Sequence, residues 1–220
     1  MPYKIPADSV LLLEGGAMRG VYTSGVLDVL MQNDLYFPTV AAVSAGALNA
    51  VNYLSRQPGR SARINLRYRS DPRYSGPLAL VRSRGLFGLD FIVNGLTEKE
   101  PFDAVAFESS PQRLLVAATN VDTGRAELFE KGKCSDFARA VIASASMPLV
   151  SWPVKIDGRP YLDGGCACHI PLDWALAQGF GHIVVVATQA KGYRKPVTSQ
   201  RMVDLYSDFY AAHPRFFAAL

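Results

Sequence analysis

Cysteine and histidine are scarce in this chain of 220 residues, which contains three of each. Three cysteines are too few, and odd in number, for a small domain built on disulfides. They indicate reduced thiols, and we therefore expect a cytoplasmic protein. Three histidines leave few candidates for the general base that a nucleophilic side chain usually needs.

Long apolar runs are also missing. The first ten residues lack the apolar core of a signal peptide. The longest uncharged run, 35–55, contains Pro38, Gly46 and Asn49, and it lacks the continuous apolar character of a membrane span. We interpret it as buried core, and we expect a protein that is at most peripheral to a membrane.

The composition excludes a disordered chain, because 49% of the residues are hydrophobic and only 19% are charged. The length predicts one domain over residues 1–220. Within it, the stretch 71–101 is punctuated by glycine and proline and has little periodicity, so we interpret it as a lid or insertion.

The net charge of +4 is unevenly distributed. The segment that runs from Arg56 to Arg84 holds eight arginines and one acid, and it carries +7 against −3 for the rest of the chain. It is either a solvated surface or a transient contact with anionic lipid. No recognised nucleic-acid motif accompanies it, and no nucleic-acid partner is predicted.

Continuous apolar strands alternate with helical patterns along the chain. The predicted strands are 9–13, 39–43, 113–118 and 183–187, with a hairpin that joins 154–156 to 159–162. The predicted helices are 19–31, 45–54 and one that runs from an N-cap at Ser135 to about residue 143. This alternation indicates an α/β layer fold whose sheet is buried on both faces.

A glycine-rich motif, Glu14-Gly15-Gly16-Ala17-Met18-Arg19-Gly20, follows the first predicted strand. Such a loop exposes backbone N–H groups that bind phosphate or stabilise an oxyanion. Ala17 departs from a dinucleotide fingerprint, and the Gly-Lys-Ser/Thr ending of a Walker loop is missing. The alternative is a tight turn without chemistry.

A second motif, Ala42-Val43-Ser44-Ala45-Gly46, joins a predicted strand to a predicted helix. A nucleophile elbow requires this context, with small residues on both sides of the serine. The alternative is that Ser44 only caps the following helix.

A third motif, Asp163-Gly164-Gly165, is either a catalytic acid with its supporting glycines or an ordinary turn. His169 is the only serious candidate for a triad base. The neighbouring Cys166 and Cys168 lack a second Cys/His pair, so we interpret them as small thiols near the site and expect no metal.

In this order, the three motifs resemble those of the patatin-like phospholipase family, and the resemblance extends over about residues 9–190. The segment Ala143–Pro148 is similar to one that these proteins carry before the aspartate, and Thr119-Asn120 with Thr123-Gly124 is similar to a bacterial branch of the family. The resemblance implies a three-layer α/β/α fold with a mainly parallel central sheet. It also implies a chain that is shortened at its C-terminal end.

The resemblance further implies a Ser–Asp dyad without a cofactor, in which Ser44 is the nucleophile and Asp163 exchanges its proton. The oxyanion would bind amides of the loop formed by Gly15, Gly16, Ala17, Arg19 and Gly20, mainly those of Gly16 and Ala17, with Arg19 orienting the loop. Support for the elbow and for the acid would come from Ala42, Gly46, Gly164 and Gly165.

Two departures from the family pattern bear on activity: Ala17 replaces a loop glycine and Ala42 replaces the first glycine of the elbow. Neither removes a reacting group. The resemblance therefore predicts a serine acyl-hydrolase of lipid esters. The alternatives are a short-chain esterase or acyltransferase with the same dyad, and an inactive homologue that binds lipid or protein.

Overall fold

The computed structural model describes residues 4–68, 70–72, 99–195 and 197–220. The predicted lid at 71–101 lies outside the described residues except at its two ends.

Seven strands in the described ranges form one sheet in the order β5-β6-β3-β2-β1-β7, with β4 paired to β3. The strands are β1 Ser9–Leu13, β2 Thr39–Val43, β3 Arg113–Asn120, β4 Ala126–Glu130, β5 Val154–Ile156, β6 Arg159–Asp163 and β7 His182–Val186. The sheet is mixed. Strands β7, β1, β2 and β3 are parallel, whereas β4 and β6 run antiparallel to β3 and β5 runs antiparallel to β6.

Among the described residues, six α-helices lie between the strands along the chain, and two follow β7. They are α1 Gly20–Gln32, α2 Ala45–Leu54, α3 Arg60–Tyr68, α4 Ala104–Ser109, α5 Phe137–Ser144, α6 Leu172–Ala177, α7 Gln200–Phe209 and α8 Pro214–Phe217. Two short 3-10 helices, Ala17–Arg19 and Gly164–Cys166, lie in the first and third motifs.

The parallel strands β1, β2 and β3 are buried on both faces, as in an α/β/α layered fold, whereas the edge strand β7 is mostly exposed. On one face, alternate residues such as Leu11 and Leu13 pack with side chains of α1, α2 and α5. On the other face, Val10 and Leu12 pack with Ala175 of α6. Every residue of β1 and β2 is buried, as expected for central strands of a covered sheet.

The predicted strands and helices are present, with ends that differ by up to two residues. The hairpin of β5 and β6 is also confirmed, and its turn residues Asp157 and Gly158 have φ values of 48° and 78°. Both lie in the left-handed region that an Asp-Gly turn uses.

The predicted N-cap at Ser135 is wrong. Helix α5 is capped by Asp136, whose side chain accepts a hydrogen bond of 3.0 Å from the Arg139 N–H. The Ser135 hydroxyl instead donates to Asp157 at 2.7 Å. Serine and aspartate both cap helices well. Here Ser135 is hydrogen-bonded to Asp157 in the turn of the neighbouring hairpin, and Asp136 caps the helix.

No helix within the described ranges is long and apolar enough to cross a membrane.

Candidate active site

Ser44 occupies a strained turn between β2 and α2. Its φ of 55° and ψ of −123° lie in a region that side-chain-bearing residues rarely adopt, and such strain is characteristic of functional turns. Close packing forces the turn, because a Cβ on Gly46 would lie 2.7 Å from the Leu13 carbonyl oxygen. A Cβ on Gly15 would lie 3.1 Å from the Ser44 Cβ. The elbow therefore requires glycine at position 46, and a side chain at position 15 would crowd Ser44.

The register of β3 brings Asp163 to Ser44. The last residue of β2, Val43, pairs with Ala117, and Asp163 pairs with the next residue, Ala118. Strand β4 pairs with the opposite edge of β3. Beyond the end of β2, β6 therefore pairs with the same edge of β3 that β2 occupies. Asp163 is therefore placed beside the residue that follows Val43.

A short hydrogen bond joins the two side chains. The Ser44 hydroxyl donates to Asp163 Oδ2 at 2.6 Å, and the Gly165 N–H donates to Oδ1 at 2.7 Å. A Cβ on Gly164 would lie 2.2 Å from the Ala117 carbonyl oxygen, so the turn after Asp163 also requires glycine. In the third motif, the backbone at Gly164 thus packs directly against that of Ala117. This places the Asp163 carboxylate beside Ser44.

The Asp163 carboxyl is buried, with only 6% of the residue exposed. Burial raises the pKa of Asp163 from 3.8 to about 6, although the hydrogen bonds from Ser44 and Gly165 act in the opposite direction. Desolvation penalises the charged form, and no ion pair to Asp163 occurs in the part of the chain that the structure describes. The carboxylate is therefore more basic than an ordinary aspartate.

The glycine-rich loop lies beside the elbow. Within its turn the Arg19 N–H donates to the Gly16 carbonyl at 2.9 Å. The Gly20 N–H donates to carbonyl oxygens of Ala17 and Met18. The Gly15 N–H approaches the His169 carbonyl at 3.5 Å. Among the described residues, no acceptor takes the amides of Gly16 and Ala17.

The loop is anchored by Thr188, which the sequence analysis did not identify. Its N–H and hydroxyl both donate to Glu14 Oε2, and the hydroxyl also lies 2.9 Å from the Gly15 carbonyl oxygen. A Cβ on Gly16 would lie 2.5 Å from that hydroxyl. The segment after β7 thus fixes the loop. The contact could not be read from the loop motif itself, because Thr188 is distant from it in the sequence.

Three other predicted residues have different surroundings. Ala42 is fully buried in the core of the sheet. Arg19 is exposed, and its role as an orienting residue stays a prediction. His169 is also exposed and approaches the loop through its backbone carbonyl, whereas the Ser44 hydroxyl donates to Asp163.

The backbone of the elbow has a further partner that the sequence analysis missed. The Ser44 N–H donates to the hydroxyl of Ser144 at 2.8 Å, and Ser144 is fully buried at the end of α5. Thr119 supports the acid in a similar way, because its hydroxyl donates to the Asp163 carbonyl at 2.8 Å. Ser144 and Thr119 lie in the two segments that carried the weaker part of the resemblance.

Ser44 opens into a cavity of about 270 Å³. Its lining is mostly apolar and also carries amide, hydroxyl and guanidinium groups. The apolar lining includes Leu48, Val51, Ile64, Phe102, Phe107, Phe137, Val141 and Met147; the polar lining includes Asn49, Asn52, Arg60 and Ser61. A cavity of this character accommodates an amphipathic organic ligand.

The arginine-rich segment is partly neutralised within its described residues. Arg63 and Arg67 form ion pairs with Glu100 at 3.0 and 3.3 Å. The Arg56 guanidinium lies over the Tyr36 ring, 4.6 Å from its centroid. These charges have partners in the fold and are not simply a solvated patch.

Cys166 and Cys168 are half-buried free thiols. Burial raises the pKa of both thiols, which keeps them protonated and unreactive at neutral pH. In the described part of the chain, no group of three or more His, Cys, Asp or Glu side chains has an arrangement that would hold a metal ion.

The fold and site define a class of α/β protein in which a strained strand–turn–helix elbow presents a serine at the carboxyl edge of parallel strands. A family profile described as patatin-like phospholipase matches residues 11–176. The chain belongs to the patatin-like phospholipase family.

Several curated proteins are similar in sequence. Protein YjjU of Escherichia coli K12 is 31% identical over an alignment of 207 residues that covers 90% of this chain and 57% of that protein. The probable lipid hydrolase 463L of Invertebrate iridescent virus 6 is 26% identical over 76% of this chain and 62% of its own length. The cGAMP-activated phospholipase of Pseudomonas aeruginosa is 26% identical over 76% of this chain and 55% of its own length. The chain thus spans little more than half the length of these relatives.

VipD of Legionella pneumophila shares the fold. The two structures superpose with a TM-score of 0.50 over 94% of this chain and 55% of VipD, at 16% sequence identity.

Proposed function

We propose that the chain is a serine acyl-hydrolase that cleaves carboxylic esters of lipids through an acyl-enzyme on Ser44. The observation that carries this proposal is the 2.6 Å hydrogen bond from the Ser44 hydroxyl to the buried Asp163 carboxylate. A serine with this partner, at a strained elbow and at the mouth of a partly apolar cavity, has what acyl transfer needs.

Asp163 is the general base in this proposal. The Ser44 oxygen attacks the ester carbonyl carbon as its proton passes to Asp163 Oδ2. A pKa of about 6 supports this role, because a base works best when its pKa is close to the working pH. Protonation also removes a charge that burial makes costly.

The amides of Gly16 and Ala17 bind the oxyanion of the tetrahedral intermediate. Like the Met18 N–H, they have no acceptor among the described residues, and Thr188 holds the loop in place. Preorganised donors of this kind stabilise charge that develops in the transition state. The N-terminus of α2 adds a partial positive charge behind Ser44.

The intermediate then collapses, and Asp163 returns its proton to the leaving alkoxide. In the second half of the reaction, a water molecule attacks the acyl-enzyme while Asp163 takes a proton from that water. The second tetrahedral intermediate releases the carboxylic acid, and Ser44 recovers its proton. No cofactor or metal enters this cycle.

Lipid esters are the proposed substrates for two reasons. The cavity at Ser44 has a largely hydrophobic side, and two relatives are named a lipid hydrolase and a phospholipase. A membrane contact through the segment from Arg56 to Arg84 is a weaker part of the proposal, because Arg56, Arg63 and Arg67 already have partners.

Covalent labelling tests the proposal. A fluorophosphonate probe should modify the wild-type protein at Ser44, as identified by mass spectrometry of the labelled peptide. The Ser44→Ala variant should take no label and should lose ester hydrolysis by at least about 10³-fold. Wild-type protein that is folded, unlabelled and inactive on esters of four to twelve carbons would exclude a hydrolase.

A further inference from the structure

The cavity at Ser44 has a polar end that the proposed reaction does not use. Helix α2 forms one wall, with Ala45 beside the nucleophile and Asn52 seven residues further along. At the rise of an α-helix, this places Asn52 about 10 Å from Ala45 along the axis. The reactive group and the polar end are therefore separated by the length of the cavity wall.

Arg60 is the charged group at this end. Its Nη1 donates to Asn52 Oδ1 at 2.6 Å, while Nε and Nη2 donate to the backbone carbonyl of Glu100 at 3.2 and 2.8 Å. The guanidinium carbon lies 5.4 Å from the centroid of the Phe102 ring, which also lines the cavity. Arg60 is only 6% exposed, so it is a buried cation at the wall of the cavity.

The charge of Arg60 has no direct carboxylate partner among the described residues. The nearby Glu100 carboxylate is bound by Arg63 and Arg67; it attracts Arg60 from a distance, and Arg60 donates hydrogen bonds to the Glu100 backbone oxygen. Of the five N–H groups of the guanidinium, two have no acceptor among these residues. Buried charges are normally paired, so this end of the cavity has an unmet capacity for an anion.

One acid also lines the cavity. Glu108, on α4, is exposed, and water screens its charge more than it screens that of a buried group. Ser61, beside Asn52, is buried and accepts from the Asn52 amide at 2.7 Å. The buried part of the polar end therefore has an excess of hydrogen-bond donors.

We infer that Arg60 binds a carboxylate at the far end of the acyl chain, so that the preferred substrates are esters of medium-chain dicarboxylic acids. The length of the cavity wall determines which acyl chain fits. Eight carbon–carbon bonds in an extended chain advance about 10 Å, at about 1.25 Å for each bond of about 1.5 Å. A nine-carbon acyl group attached at Ser44 therefore brings its second carboxylate to Arg60, where a charge-assisted pair forms.

A phosphate of a lipid headgroup does not meet this requirement. It lies only about five bonds from the ester carbonyl, a reach of roughly 6 Å by the same bond lengths. The 10 Å wall thus favours a group on the acyl side of the ester.

Binding to the Ser44→Ala variant tests the inference without turnover. Monomethyl nonanedioate, methyl nonanoate and monomethyl butanedioate are titrated by calorimetry. The nine-carbon diacid ester should bind at least about tenfold more tightly than either of the others, since one ester lacks the carboxylate and the other is too short. Equal affinity of the two nine-carbon esters, or tighter binding of the four-carbon diacid, would overturn it.

Substitution of the arginine gives a second measurement. In Arg60→Met the preference for nonanedioate over nonanoate should fall to about one, and Arg60→Lys should keep part of it. Arg56→Met is the control, because it removes the same charge from an exposed arginine that lies over Tyr36 and does not line the cavity. It should keep the full preference; a parallel loss in both Met variants would refute a site at Arg60.

The inference rests on the proposed function for the position of the ester, but the two fail separately. An inactive wild-type protein whose Ser44→Ala variant still prefers monomethyl nonanedioate would refute the hydrolase and support the subsite. An active enzyme without that preference would refute the subsite alone.

Discussion

Two buried charges of opposite sign lie at opposite ends of helix α2, and they differ in what pH does to them. Asp163 accepts hydrogen bonds from a hydroxyl and an amide, and Arg60 donates to an amide oxygen and to backbone carbonyls. Neither group has an oppositely charged side chain in direct contact among the described residues. Each is therefore solvated by neutral dipoles of the protein.

Burial shifts both groups toward their neutral forms, but with different consequences. It raises the pKa of Asp163 to about 6, close to neutral pH, so this carboxylate is able to exchange a proton during a reaction. Burial also lowers the pKa of Arg60, yet a guanidinium keeps its charge in proteins. The same desolvation thus produces a carboxylate of raised pKa at one end of the cavity and a fixed cation at the other.

The largest expected effect is the loss of the base. Asp163→Asn removes the acceptor for the Ser44 proton, and we expect kcat for ester hydrolysis to fall by at least about 10³-fold. Steady-state kinetics on a nitrophenyl ester measure it, with His169→Ala as the control. If His169→Ala were the inactivating change and Asp163→Asn were active, the protein would use a histidine triad.

The same Asp163→Asn variant should be more stable than the wild type at pH 8. Because the folded pKa of about 6 exceeds the ordinary value of 3.8, the wild type loses stability as the pH rises through 6. The shift corresponds to up to about 3 kcal/mol. Below about pH 4 the carboxyl is neutral in both states and the gain should vanish.

Chemical denaturation at pH 4, 6 and 8 measures this stability difference. Asp208→Asn, which removes an exposed acid on α7, is the control and should show little pH-dependent gain. A gain of the same size for both variants would mean that net charge, and not the burial of Asp163, causes it.

Ser44 and Asp163 could be predicted from the sequence because each lies in a short continuous motif with small neighbours. The packing that requires Gly46 and Gly164 is not visible there, because it comes from the distant backbone of Leu13 and Ala117. The cap of α5 was misplaced by one residue because Ser135 and Asp136 are both good caps, and a contact from the β5–β6 hairpin decided between them.

The surroundings of Arg60 could not be predicted from the sequence, because residues from separate segments of the chain form them. Arg60 was one of eight arginines in a charged segment, and only the fold shows that Asn52 and the Glu100 carbonyl bury it. Ser144 and Thr188 were missed as contacts for the same reason. They approach the elbow and the loop from positions at least 100 residues away in the chain.

A smaller effect is expected at the backbone of the elbow. Ser144→Ala leaves the buried Ser44 N–H without its acceptor, which costs about 1–3 kcal/mol. We expect kcat to fall about tenfold with little change in KM, because the nucleophile is displaced and the cavity is not. Ser146→Ala is the control, since that hydroxyl donates within its own turn to the Ile142 carbonyl. Equal losses in both variants would remove the special role of Ser144.

The smallest effect is expected at the loop. Ala17 has φ of 47°, so Ala17→Gly relieves a left-handed strain of about 1 kcal/mol, partly offset by the greater freedom of glycine in the unfolded chain. We expect a change in the free energy of unfolding of at most about 1 kcal/mol and no loss of activity. Gly16→Ala, which crowds the Thr188 hydroxyl, should lower activity instead. The reverse order would show that the loop does not act through its anchored geometry.

The most direct test of the central claim is the pH dependence of Ser44 labelling by a fluorophosphonate. If Asp163 activates Ser44, the labelling rate of the wild type should rise with pH through about 6 and level off above it. Asp163→Asn should react far more slowly at every pH. A rate that did not change with pH between 5 and 8, or that survived the substitution of Asp163, would contradict the dyad.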